Sequence, residues 1–175
     1  MPTSWGVSLE LHKMPRSQLA VIPFEVRQGQ LMVLMVTSRE TRRWVVPKGW
    51  QEKKVPDPEQ AAREAYEEAG AIGQVGAKPI GSYRYEKRLK NGRSKTLDVA
   101  VYPFEVEELL EEWPEMEERE RRWMTPAQAA LAVDEGSLAA LLLGLETNPP
   151  RLGGSGPSRK PSAGRRNGRA SAHPF

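Results

Sequence analysis

Three carboxylates, Glu64, Glu67 and Glu68, fall within five residues. Glu64 and Glu68 stand at i,i+4, and Glu64 and Glu67 at i,i+3. A helix would turn all three to one side. Ala61, Ala62, Ala65 and Ala69 would then form an opposite face small enough to pack close to a sheet. Like charges at this spacing repel by about 0.2–0.5 kcal/mol per pair. They also crowd the helix C-terminus, where the macrodipole disfavours negative charge. Local stability does not select this arrangement, whereas a bound divalent cation would offset it. Magnesium takes oxygen ligands and keeps waters and substrate phosphates in its shell, which suits carboxylates on one helix face. The plain alternative is a solvated acidic face with Arg63 paired to Glu67.

The surrounding sequence supplies elements to hold that helix. Pro56-Asp57-Pro58-Glu59-Gln60 predicts its start, with Asp57 as cap, Pro58 at the first helical position and Gln60 in a capping-box-like spacing. Gly70 is placed to end it. Before it, Leu19–Val26 and Leu31–Val36 read as strands joined by a turn at Arg27-Gln28-Gly29-Gln30. Trp44-Val45-Val46 reads as a short third strand, stopped by Pro47. After it, Ile80–Lys90 and Ser94–Val106 read as a long hairpin around Asn91-Gly92. Arg122-Trp123-Met124 suits a short strand. Thr125 caps a helix through about Val133, and Ser137–Leu145 is a second helical segment. The order implies an α+β fold with a mixed sheet between helices.

Charge divides the chain. The total is 26 Lys+Arg against 23 Asp+Glu, a net +3. Six of those bases and no acid lie in 151–175, so residues 1–150 carry 20 bases and 23 acids, a net −3. The expected organisation is a flexible lead over 1–16, a folded domain over 17–146 and a basic disordered tail over 147–175. With no Cys, disulfides, thiolate zinc sites and a Cys nucleophile are excluded. The cytoplasm is the expected compartment. No apolar stretch approaches the ~18 residues of a membrane span, and Met1–Pro15 has no apolar signal core.

The wider spacing around the glutamates carries a resemblance. Gly49-x13-Arg63-Glu64-Ala65-x-Glu67-Glu68-x-Gly70-Ala71 resembles the Nudix box, G-x5-E-x7-R-E-U-x-E-E-x-G-U, in which U is usually a bulky aliphatic residue. Six of the seven fixed positions match without a gap. Val55 stands where the box has its first Glu, with Glu52 three residues earlier. The element order is also that of a Nudix domain, an α/β/α sandwich, over roughly Ser17–Leu145. Trp44–Trp50 and Gly81–Lys87 are similar to a bacterial branch related to the diphosphoinositol polyphosphate phosphohydrolases.

The resemblance implies a pyrophosphohydrolase in which water attacks one phosphorus of a P–O–P bridge, with Mg²⁺, or Mn²⁺ in its place, as cofactor. It makes Glu64 and Glu68 the primary metal ligands, Glu67 the next, and Gly49 a backbone ligand. Arg63 would orient a carboxylate. The general base is left among Glu64, Glu67 and a Glu of the 107–120 segment. The implied partner is a highly phosphorylated small molecule, a diphosphoinositol polyphosphate or a dinucleoside polyphosphate, and not a membrane. Arg39, Arg43 and Lys48 near the box, and Arg84 and Arg88 in the hairpin, are the candidate phosphate-binding residues. Trp50 would stack on a base or shield the site. Two further readings are a catalytically weak module that binds nucleotide or a regulatory partner, motivated by Val55, and an RNA 5′-pyrophosphohydrolase assisted by the basic tail.

Overall fold

The computed structural model describes residues 17–152. The expected lead over 1–16 and most of the expected tail, from 153 on, lie outside the described residues. The elements are β1 (Gln18–Arg27), β2 (Gln30–Thr37), β3 (Trp44–Val45), β4 (Lys48–Trp50), α1 (Asp57–Ala69), β5 (Ala71–Val75), β6 (Gly81–Arg88), β7 (Ser94–Leu109), β8 (Arg121–Met124), α2 (Pro126–Ala132) and α3 (Gly136–Thr147).

One mixed sheet runs β3-β2-β1-β7-β5, with β4 also on β1, β6 on β7 and β8 on β2. β1 and β7 pair in parallel, Gln18 opposite Val99 through Phe24 opposite Glu105. The other pairs are antiparallel. β1 is buried on both faces, and its side chains alternate between two cores. Leu19 and Val21 join Leu34, Val36, Tyr102 and Phe104 under Ala61, Ala65 and Ala69 of α1. Ala20, Ile22 and Phe24 join Met35, Val99 and Val101 under Leu138, Leu142 and Leu145 of α3. The sheet is thus sandwiched between α1 and the α2–α3 pair, the α/β/α arrangement of an α+β chain.

Several sequence expectations shift in detail. Asp57 is the first helical residue and not the cap; Pro56 holds the cap position with no side-chain cap bond. Asp57 instead accepts from Gln51 Nε2 at 2.7 Å. Gln60 turns inward and donates to Glu64 Oε1 at 2.9 Å, so no capping box forms. The box forms at α2, where Thr125 and Gln128 cap each other's backbone. Gly70 closes α1 in the left-handed region, at φ 63°. Two strands, β4 and β5, have no counterpart in the sequence pattern. β4 is only three residues long and follows Pro47, and β5 is built on Ala-Ile-Gly-Gln-Val, a poor strand composition. α3 runs to Thr147, and Leu152 packs on its core, so ordered structure passes the boundary expected at 146.

Candidate active site

The helix carboxylates do not oppose the alanines. Glu64 and Glu68 are buried at 8% and 6% exposure, on a stripe beside Ala61, Ala65 and Ala69. At 100° per residue, Gln60, Glu64 and Glu68 lie next to the alanine row, so the whole inward side of α1 is half apolar and half acidic. Glu67 sits at the rim, half-buried. What these glutamates face is β4. A Cβ on Gly49 would overlap the Glu64 carboxylate, so only glycine lets that carboxylate meet the strand. The amide of Lys48 donates to Glu68 Oε2 at 3.3 Å.

Arg119, absent from the sequence-derived site, completes the surroundings of Glu68. Its guanidinium donates to Glu68 Oε1 at 3.0 Å, to Glu115 Oε1 at 3.3 Å and to the Thr37 carbonyl at 3.0 Å. The pair is buried on both sides, with 7% and 8% side-chain exposure. Desolvation still dominates: burial pushes Glu68 up to about 7, against Arg119 and Lys48, which lower it. Burial likewise raises Glu64, against its bond from Gln60. Burial lowers the Lys48 ammonium, against the charge of Glu68.

The acidic 107–120 segment has a structural task at the C-terminal end of α1. Four carbonyls at that end accept bonds from outside the helix. Glu115 N donates to Glu67 O at 3.1 Å, Trp113 Nε1 to Glu68 O at 3.1 Å, Arg121 Nη1 to Ala69 O at 2.8 Å and Leu110 N to Gly70 O at 2.9 Å. The guanidinium of Arg121 supplies the positive charge that the last turn of α1 lacks, and it stacks on Trp113 at 3.9 Å. The helix end that carries Glu67 and Glu68 is therefore clamped.

Arg63 does not pair with Glu67. Its Nη1 reaches Glu52, at 3.3 and 3.4 Å from the two carboxylate oxygens. The remaining cations divide. Lys48 Nζ lies 5.0 Å from the Tyr85 ring, and Lys87 Nζ lies 4.6 Å from the Trp50 ring. β6 alternation turns Tyr83, Tyr85 and Lys87 inward and leaves Arg84 and Arg88 exposed. Arg84 pairs with Asp98 on that outer face, at 3.1 Å. Arg84 and Arg88 are thus not gathered to the glutamates, while Lys87 and Tyr85, their neighbours on the other face, join Trp50 and Lys48. Arg39 stands 3.5 Å from Glu115, and Arg43 pairs with Asp134 at 2.9 Å and Glu135 at 3.1 Å. Arg119 lies in a charged stretch with no spacing signal, and the position of Glu52, three residues before Val55, does not by itself reveal that it meets Arg63.

Among the described residues, no three acidic or His side chains are already grouped as a complete ligand set. The donors present nevertheless fit a hard cation: all are oxygens, two carboxylates one turn apart are desolvated, and Gly49 leaves room for them at the strand. Waters and substrate oxygens would complete such a shell.

The chain is similar to known proteins in sequence and in fold. Residues 14–142 match the NUDIX domain family profile. Nudix hydrolase 12, mitochondrial, from Arabidopsis thaliana is 37% identical over 104 residues, 58% of this chain and 51% of that protein. Diphosphoinositol polyphosphate phosphohydrolase 2 from Rattus norvegicus is 32% identical over 110 residues, 62% of this chain and 57% of that one. The chain thus spans about half the length of these relatives. The E. coli dihydroneopterin triphosphate pyrophosphohydrolase superposes with a TM-score of 0.60 at 16% identity, covering 75% of this chain and 95% of that one. A C. elegans Ap4A hydrolase binary complex does so at 0.57 and 16%, covering 75% and 96%. Box spacing, sheet order and the profile over most of its length together show that this chain belongs to the Nudix family.

Proposed function

We propose that the chain is a Mg²⁺-dependent pyrophosphohydrolase that cleaves a P–O–P bond in a highly phosphorylated small molecule. The observation that carries this reading is the desolvated Glu64 and Glu68 pair facing β4, Glu64 against Gly49 and Glu68 under the Lys48 amide. Two buried carboxylates on one helix are costly in isolation, and a divalent cation favours their charged form. Glu64 and Glu68 would hold the ion, with Glu67 at the rim and Gly49 through its backbone. Bound Mg²⁺ would neutralise phosphate charge and acidify the attacking water.

The chain's own groups have distinct tasks in this reading. Gln60 orients Glu64, and Arg119 and the Lys48 amide fix the two oxygens of Glu68. Glu67, more exposed than Glu64 and Glu68, is the candidate we favour to take the proton of water, and its exposure supports that role. Lys48, whose amide meets Glu68, lies on the Tyr85 ring and Lys87 on the Trp50 ring of β4, and both would supply positive charge toward phosphate. The printed names of relatives and neighbours include a diphosphoinositol polyphosphate phosphohydrolase and an Ap4A hydrolase, which supports a polyphosphorylated substrate of one of these two kinds. The proposed compartment is the cytoplasm, on the cysteine-free composition. No helix among the described residues is long and apolar enough to cross a membrane.

The test is a substrate panel of inositol pyrophosphates, dinucleoside polyphosphates, nucleoside triphosphates, ADP-ribose and 5′-triphosphate RNA, run with Mg²⁺ and with chelator. Turnover should require the metal and fall by about 10³-fold or more in Glu68→Gln, in line with loss of a charge-stabilising group at a reacting centre. Full turnover in that variant would remove Glu68 from the site.

A further inference from the structure

β8 is an outer strand of the sheet, and among the described residues β2 is its one strand partner. The Thr37 amide donates to the Glu120 carbonyl, so Glu120, Arg122 and Met124 turn their backbone groups toward β2. By antiparallel alternation, Arg121 and Trp123 turn theirs outward. The outward N–H and C=O of Trp123 have no hydrogen-bond partner among the described residues. Such an edge is a template for one more strand.

An open groove of about 430 Å³ lies beside this edge, on the α2 side of the sheet. Trp44, Met124 and Ala132 form its apolar lining, and the exposed Arg122 and Gln128 its polar one. The Arg122 guanidinium lies 5.0 Å from the Trp44 ring. It meets no acid among the described residues, whereas Arg39, Arg42 and Arg43 each pair with one. Gln128 Oε1 accepts from the Thr125 amide at 3.0 Å, which leaves only the N–H groups of that side chain to the groove. Both polar groups therefore offer donors and no acceptor. Leu131, three residues on from Gln128 along α2, is 90% exposed.

A free edge, an apolar groove beside it and a set of donors fit an extended acidic segment. Main-chain bonds to Trp123 would hold its backbone, and its alternate side chains would fall on the groove side. An apolar side chain there meets Trp44 and Met124, and a carboxylate meets Arg122. Charge excludes the other occupants. Two copies joined edge to edge would set Arg121 and Arg122 against the same pair of cations. Residues 151–175 carry six bases and no acid, and residues 1–16 carry Lys13 and Arg16 against one acid, Glu10.

We propose that the β8 edge and its groove dock an extended acidic segment of another protein. The segment pairs with the Trp123 backbone, seats one large apolar side chain against Trp44 and Met124, and sets a carboxylate on Arg122. The box glutamates lie on the opposite face of the sheet, beside the alanines of α1, so this surface stands apart from the proposed hydrolysis.

The test is an array of fluorescent octapeptides with leucine, isoleucine, phenylalanine or tryptophan at the centre and glutamates on either side. The same peptides with lysines in place of the glutamates are run beside them. Anisotropy is read on the full chain and on Arg122→Glu, Arg122→Gln and Ala132→Leu, with thermal unfolding to show that each variant is folded. At least one glutamate peptide should bind. Its affinity should fall about fivefold or more in Arg122→Glu, where an attraction becomes a repulsion, and by less in Arg122→Gln. Ala132→Leu, which fills the groove, should weaken the same peptide. Hydrogen exchange reads the edge itself: the Trp123 amide should slow when that peptide is bound. Absence of binding by every glutamate peptide overturns the proposal. Equal affinity for the lysine set, or unchanged affinity in both Arg122 variants, overturns it too. Binding that leaves the exchange of the Trp123 amide unchanged overturns the strand pairing and assigns the groove to a side chain or a small anion alone.

Discussion

Arg63 of α1 meets Glu52, with its Nη1 3.3 Å from Glu52 Oε1, eleven residues back along the chain. Glu52 lies three residues before Val55, the position at which the Nudix box has its first glutamate. A carboxylate from the same loop therefore stands by the box arginine even though the box position itself is apolar. Both partners are substantially exposed, at 39% and 54%, so the pair positions Arg63 more than it stabilises the fold.

Glu52→Gln should lower kcat severalfold while shifting unfolding by less than about 1 kcal/mol. Adding Val55→Glu to that variant should restore most of kcat, because it offers Arg63 a carboxylate at the box position. Steady-state kinetics of the single and double variants check this. No recovery in the double variant would show that the loop cannot deliver position 55 to Arg63.

Gly49→Ala places a methyl group where the Glu64 carboxylate lies. The clash is with a charged side chain in a packed site, so Glu64 must move. The expected cost is about 1–3 kcal/mol in stability. Turnover should drop about a hundredfold or more, because a ligand displaced by an ångström is no longer in place. Mg²⁺ titration by calorimetry together with kinetics would show both losses; unchanged metal affinity would detach Glu64 from the ion.

Arg119→Met leaves Glu68 buried without its guanidinium partner. Breaking such a pair costs about 3 kcal/mol. Saturating Mg²⁺ should recover part of that loss, since the ion substitutes its charge for the missing one. Thermal unfolding with and without Mg²⁺ measures the recovery. An equal deficit in both conditions would mean that metal and Glu68 do not meet.

The metal-free protein should lose stability as pH rises. Glu68 is pushed up to about 7 in the fold from an ordinary value of 4.5, mainly by burial. The folded state then holds a proton that the unfolded chain has released, so this contribution is complete below about pH 4.5 and is lost as pH passes 7. One such proton gives a slope near 1 kcal/mol per pH unit between pH 5 and 7. Glu64, raised by burial too, acts in the same direction. With Mg²⁺ the slope should flatten or reverse, because metal binding displaces the proton. Denaturant titrations in chelator at pH 5, 6, 7 and 8 test the sign.

By itself the sequence determined the helix, its glycine stop and the family. These are local or one-dimensional signals: Pro58 in the first turn, Gly70 at positive φ, and the fixed interval from Gly49 to Gly70. It also determined the two long hairpins, through period-2 patterning and glycine turns. Tertiary structure decided which charges meet. Helical spacing put Glu64, Glu67 and Glu68 together but could not say that two are buried against β4 while the third stays at the rim. Alternation separated Arg84 from Lys87, yet only the packing of β6 near Trp50 and Lys48 showed which face turns inward. Arg119 is 51 residues from Glu68, Glu135 is 92 from Arg43, and backbone amides and Trp113 of the 107–120 segment clamp the end of α1 while most of its glutamates stay exposed. Charge pairing over such separations is set by chain crossing, and a linear pattern carries no trace of it.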